Sequence, residues 1–423
     1  MGRRSVLPSL LFVTAASLFA CSAGSSEPTA GEDAITSNDA KILDFTFEGE
    51  VVARRTVDAR KAVVAQLMYA QGILTTARNG NGHVGNVKLT DVTETENGAT
   101  KRIRYRASLP VAWPKAVPVP ASYELTLPLD STAFDAFNAK YDKHCGAKAY
   151  GLETFWHDWN PKPSRTCTID EADVRRSVAS VAPHVQETTN KYPEYDEIWK
   201  DDRLDVVAIF GIITSNVSYD LGYNQARKFT ENSTSKLTGP SVTDNAPSPS
   251  VLKDTTVTGK VMIGGRERDV KVDVLVVNEL EHVGSDFDRR YDALTEKADM
   301  ILYNGHAGLG KNINALARKG KVTAGKYQLV LLNGCQSFAY IDTTMTDRRR
   351  EANGPADPLG TKFLDVMGNA LPGYASNLAS MSNTLYDAAI GADAPKNFNE
   401  VMRSMPPDHI VAVFGEEDNA FER

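Results

Sequence analysis

The chain has 423 residues, of which 42% are hydrophobic and 24% charged, with a formal net charge of −7. Such a length predicts two or three folded parts. No run of lysine or arginine interleaves with aromatic residues, which excludes nucleic acid as a partner recognised through the usual basic patch.

In chain order, Met1-Gly2-Arg3-Arg4 gives a positive start, and Val6 to Phe19 is mostly apolar. Leu18-Phe19-Ala20-Cys21 then places a small residue before a cysteine. The segment 1–20 resembles a bacterial lipoprotein signal peptide. That resemblance implies lipidation of Cys21 and a protein anchored in the bacterial cell envelope by lipid alone, at the outer membrane or cell surface in a Gram-negative host. The apolar stretch is short for a membrane span and is interrupted by Pro8. Residues 21–41, rich in Ser, Gly, Ala, Thr, Glu and Asp, read as a flexible tether.

Residues 42–195 read as an α+β domain. Val63, Val64, Leu67 and Ala70 have helical spacing within a helix predicted from Val57 to Thr76. Alternation of apolar and polar residues predicts strands over 86–92, 101–107 and 122–127, and a second helix is expected from Asp170 to Asn190. Cys145 and Cys167 flank a compact aromatic segment, Tyr150 to Pro161, and in an exported protein they are expected to form a disulfide. Trp156 and Trp159 then read as packing around that bridge. Cys335 is left over, either as a small buried side chain or as a working thiol. His83, His144, His157 and His184 lack metal-ligand spacing, and no cofactor is predicted.

The pattern changes over 201–423. Leu204 to Ile213 is a continuous apolar run suited to a strand buried on both faces. A helix follows from Leu221 to Phe229, and the polar stretch Glu231 to Ser250 reads as a surface loop. Gly264-Gly265 between two apolar runs predicts a hairpin, and Phe287 to Ala298 an amphipathic helix. Met300 to Tyr303 then leads into Asn304-Gly305-His306-Ala307-Gly308. A short helix over 312–319 separates it from Tyr327 to Leu332, which leads into Asn333-Gly334-Cys335-Gln336-Ser337. A strand–helix–strand crossover of this length suits two parallel strands. If the two are neighbours, His306 and Cys335 emerge side by side at the carboxyl edge of the sheet, where open α/β folds bind ligands.

These two motifs resemble the caspase-like cysteine peptidases, the group that includes clostripain, gingipains and the CHAT domains. The resemblance covers roughly Arg203 to Phe414 and implies an α/β fold with a mostly parallel sheet flanked by helices. Gly360 to Met367 and Ala370 to Asn377 look like the helix and strand that follow the cysteine in CHAT-type members. The sequence departs from the family at Ala307, where glycine is usual, and at Gly334, where alanine is common. The family's chemistry would make Cys335 the nucleophile and His306 its base, with backbone N–H groups of Ala307, Gly308 and Cys335 as oxyanion donors. Asn377, Ser380 and Asn383 would line a specificity pocket. The expected activity is that of an exported, lipid-anchored cysteine endopeptidase acting on a peptide or protein substrate. The alternative is an inactive scaffold of the same fold serving as a surface binding or sensor lipoprotein. Gly305 to Asn312 mimics a phosphate loop, but Asn follows the lysine where Ser or Thr is needed.

Overall fold

Two β-sheets built on different rules carry the chain. The computed structural model describes residues 40–423 except 79, 147–150, 163–165, 185–189, 215–218, 408 and 410. The signal segment, Cys21, Tyr150 and nearly all of the tether lie outside the described residues. The described residues belong to one compact unit.

The first sheet contains β1 (Ala40–Arg54), β2 (Asn81–Gly82), β3 (Lys88–Asn97), β4 (Thr100–Pro114), β5 (Ser122–Pro128) and β6 (Val174–Pro183), in the order β2-β4-β1-β6-β5 with β3 also on β4. Every pairing in it is antiparallel. Along β4 the buried Ile103, Tyr105 and Ala107 alternate with exposed Arg102, Arg104 and Arg106, so one face meets water and the other a core. That core is closed by α1 (Ala59–Arg78), which buries Val63, Leu67, Ala70 and Leu74. Two shorter helices, α2 (Phe134–Tyr141) and α3 (Phe155–Asp158), flank the Cys145–Cys167 disulfide, whose Cα atoms are 4.8 Å apart. Trp159 is fully buried there against Phe137, Tyr141 and Phe155. The helix expected from Asp170 is instead strand β6, which joins β5 and β1.

The second sheet contains β7 (Arg203–Gly211), β8 (Thr238–Asn245), β9 (Val251–Ile263), β10 (Arg266–Val277), β11 (Met300–Asn304), β12 (Gln328–Asn333), β13 (Leu364–Asn369) and β14 (Val411–Phe414). Its order is β14-β13-β12-β11-β7-β10-β9-β8. The expectation of a caspase-like, mostly parallel sheet is corrected here. Four pairings, from β10 through β7, β11 and β12 to β13, are parallel. The other three, at the two margins, are antiparallel, and the first sheet contains no parallel pairing among its named strands. The physical reason is local. β9 and β10 are joined by Gly264-Gly265, both with positive φ, and a two-residue turn permits only antiparallel neighbours. The architecture is α/β in general, with two antiparallel or mixed sheets.

Helices cover both faces of the second sheet. After α4 (Tyr195–Ile198), one face receives α5 (Leu221–Ser235), α10 (Leu378–Ile390) and α11 (Phe398–Arg403) against Val206, Ala208, Phe210, Leu302 and Leu331. The opposite face receives α6 (Ser285–Thr295), α7 (Lys311–Arg318) and α8 (Ser337–Tyr340), with Met345 of α9 (Thr344–Asn353), against Val207, Ile209, Ile301, Tyr303 and Leu332. Alternate residues of each central strand thus enter different cores, which is why these strands read as unbroken apolar runs. Two further readings change. Residues 231–250, expected as a loop, hold the end of α5 and the edge strand β8, and residues 364–367, expected as the end of a helix, lie in β13. No described helix is long and apolar enough to cross a membrane.

Candidate functional site

β11 and β12 are parallel neighbours in a register that pairs Asn304 with Asn333. His306 and Cys335 each stand two residues beyond that pair, so they leave one sheet edge from strands about 4.8 Å apart. Both line a single short cleft of about 70 Å³ together with Ile213, Gly305, Asn333, Gly334, Gly373, Ala375 and Leu378. Cys335 is exposed and unbridged, and its thiol points at the Gly373 carbonyl at 3.7 Å.

The chain turns sharply to present that thiol. Gln336 has φ +53°, a left-handed value for a non-glycine residue, and α8 starts at the next position. A Cβ on Gly334 would lie 3.0 Å from the Gly305 oxygen and 3.1 Å from the Ala307 nitrogen. The histidine loop therefore passes against the residue before the cysteine, and glycine is what fits between them.

His306 is held at its backbone and at its ring. Its carbonyl accepts hydrogen bonds from the Tyr303 hydroxyl (2.6 Å) and from Asn312 Nδ2 (2.9 Å). Burial pushes the Tyr303 phenol well above its usual range, so it remains a donor. The ring Nε2 lies 3.3 Å from the Ile213 carbonyl. That bond assigns the ring proton to Nε2 and leaves Nδ1 as the basic nitrogen. Ile213 is itself fixed by Asp220, whose fully buried carboxylate accepts from Ile213 N (2.8 Å) and Thr214 N (2.6 Å) and caps α5 through Gly222 N (2.7 Å).

Beneath the cleft, three asparagines end three adjacent parallel strands. Asn333 Nδ2 donates to Asn304 Oδ1 (2.9 Å), and Asn369 Nδ2 donates to Asn333 Oδ1 (2.9 Å) and to the Gly334 carbonyl (3.2 Å). Asn304 is bonded in turn to Ser382 of α10 at 2.8 Å. All three are at most 1% exposed. A buried polar chain of this kind ties the three strand ends to one another, and with them the offset between His306 and Cys335; its outer end, Asn369 Oδ1, has no hydrogen-bond partner among the described residues. Among the described residues, no protein acceptor faces the backbone N–H groups of Ala307, Gly308 or Cys335.

The expected pocket residues are placed differently. Asn377 is half-buried at the end of a short 3-10 turn, while Ser380 is exposed and Asn383 half-buried on α10. From this segment it is Gly373, Ala375 and Leu378 that line the cleft.

The first sheet's part of the chain also reaches the cysteine loop. His157 Nε2 lies 3.4 Å from Gln336 Oε1, and the rings of Trp156 and Tyr340 stack edge to face at 5.8 Å. His83 is wholly buried between Phe338 and Phe414, with ring centroids 4.4 and 4.7 Å away. Asn81 Nδ2 donates to the Ala370 carbonyl at 2.7 Å.

Sequence reading finds His306 and Cys335 but misses the parts that hold them. Asn304 and Asn333 look like breaks after apolar runs rather than buried side chains. Asp220 carries a legible signal, as an N-cap residue before a helix, yet its grip on Ile213 depends on the folded loop. No group of metal-ligating side chains gathers among the described residues. No protein-family model matches the chain, and no curated protein is similar to it.

Proposed function

We propose that this chain is an exported cysteine endopeptidase with Cys335 as nucleophile and His306 as base. The observation that supports it is one juxtaposition: an exposed, unbridged thiol and a histidine on neighbouring strand ends, lining one cleft. The N–H groups without acceptors beside them suit a developing oxyanion.

In this reading His306 Nδ1 takes the thiol proton as Cys335 Sγ attacks the scissile carbonyl carbon. The S–C bond forms and the carbonyl electron pair moves to oxygen, where N–H groups of Cys335 and of Ala307 or Gly308 stabilise it. Collapse breaks the C–N bond, and the amine departs with the proton from His306. Water, losing a proton to His306, then adds to the thioester, and the S–C bond breaks to return the thiol and release the acid. The lipoprotein-like start, with lipid on Cys21, would hold the enzyme at the bacterial envelope. An oxidising compartment there suits the Cys145–Cys167 bridge.

A peptide acyloxymethyl ketone should alkylate Cys335 in the purified mature protein, and Cys335→Ala should abolish both labelling and proteolysis. His306→Ala should slow labelling by roughly 100-fold or more, the scale of a lost general base. Labelling of the His306 variant at the parent rate would sink the enzyme reading and leave a surface-binding scaffold in its place.

A further inference from the structure

The walls of the cleft beside Cys335 are uncharged and close together. Ile213, Ala375 and Leu378 supply its apolar side chains, and Gly305, Gly334 and Gly373 its bare backbone. Asn333, the remaining neutral lining residue, has its amide engaged with Asn304 and Asn369. Apart from His306, no lining residue can carry a cation, and none is a carboxylate.

We infer that the substrate residue whose carbonyl Cys335 attacks carries a small uncharged side chain, of the alanine, serine or glycine class. This rests on the peptidase reading above. The attacked carbon must come within about 3–3.5 Å of the sulfur, and the substrate Cα is bonded to that carbon. Its side chain therefore enters the space next to the thiol. A guanidinium or ammonium there would give up water with no carboxylate to receive it, and a carboxylate would find only His306, whose ring the reaction itself needs; all three residues are disfavoured. Size acts in the same direction. The cleft offers about 70 Å³, roughly half of the ~150 Å³ that accommodates a benzene ring in an engineered protein cavity, which disfavours an aromatic side chain as well. The polar candidates Asn377, Ser380 and Asn383 would have favoured a hydrogen-bonding side chain. Their places on the wall are taken by Gly373, Ala375 and Leu378.

The test uses four acyloxymethyl ketones that share one peptide and one leaving group and differ only in the residue attached to the ketone: Ala, Phe, Arg or Asp. In the intact mature protein the thiolate displaces the carboxylate and forms a thioether, and the rate of that step is read by mass spectrometry. The Ala probe should react at least tenfold faster than each of the others. Ala375→Asp, which adds a carboxylate to the wall, should raise the Arg probe's rate relative to the Ala probe's by tenfold or more. If the Arg, Asp or Phe probe matches the Ala probe on the parent protein while His306→Ala still slows labelling, the substrate class is wrong and the peptidase reading stands. An Ala375→Asp protein with the parent's preferences also overturns the inference. Rates that depend on His306 for none of the four probes overturn both.

Discussion

An imidazole that only touches a cleft is a weak base catalyst; one held at the ring, at its own carbonyl and through its neighbour is pre-oriented. His306 has all three restraints, and the outermost runs through Asp220, whose carboxylate grips the backbone of Ile213 and Thr214. If the proposed peptidase reading holds, Asp220 acts as a positioning residue, since it does not line the cleft. Asp220→Asn would set an amide N–H against one of the donors the carboxylate now accepts. The expected loss is in kcat, roughly 10- to 100-fold, because small misplacements of a catalytic group cost that much, with KM changed less than threefold. The cost in stability should be about 1–2 kcal/mol for a weakened cap. Steady-state kinetics beside a denaturant melt checks both numbers. A variant that loses stability but keeps kcat would confine Asp220 to capping α5.

At the scale of elements, what could be read from the chain depended on how local the decisive contact is. The central strands β7, β11 and β12 announce themselves because both faces are buried, leaving unbroken apolar runs. The hairpin of β9 and β10 is equally legible, since its turn demands two residues at positive φ and the sequence offers Gly264-Gly265. β8 is not, because every residue of this edge strand is exposed and no apolar alternation survives. β6 buries Val174, Ser177 and Ala179, a spacing compatible with a helix until the distant partners β1 and β5 impose an extended chain. The sheet's mixed character is hidden for a similar reason, as strand direction is fixed by connections rather than by composition. The same locality decides the site: His306 and Cys335 were visible, whereas the asparagine chain joining three strand ends is a tertiary object. The disulfide lies between these cases, predicted from parity and placed by the fold. It closes a loop of 22 residues in sequence separation, which should stabilise by about 3 kcal/mol. That loop carries α3, with Trp156 and His157 against Tyr340 and Gln336. Cys145→Ala/Cys167→Ala should therefore lower the unfolding free energy by about that amount and also slow labelling of Cys335. If stability falls and labelling does not change, α3 has no hold on the cysteine loop.

At the scale of the whole molecule, one of the contacts between the two sheets' parts is His83, which the first part of the chain inserts between Phe338 of α8 and Phe414 of β14. Neither ring nitrogen has a hydrogen-bond partner among the described residues, so a protonated ring there would be an uncompensated buried cation. Burial, aided by the nearby Arg60, pushes its pKa down to about 3, against about 6.5 in an unfolded chain. Between those two values the unfolded chain binds a proton that the folded one refuses. The stability tied to neutral His83 is thus complete above the unfolded value and is lost as pH falls, by at most about 1.4 kcal/mol per pH unit. Other groups pull the opposite way. Burial pushes Asp365 up to about 8 and Asp299 up to about 7, so these carboxyls hold protons in the fold that the unfolded chain has released, and their effect is to favour the fold as pH drops. The parent's total slope is therefore a mixture, and a difference between two proteins is the informative quantity. His83→Leu keeps similar bulk between the two phenyl rings, removes the titrating group, and should change stability at pH 7 by no more than about 1.5 kcal/mol. Urea midpoints at pH 7, 5.5 and 4.5 should show the variant gaining on the parent at each acid step. Midpoints that stay a constant distance apart would mean that His83 finds a partner for its proton in the fold, and that the contact between the sheets is not where acid acts.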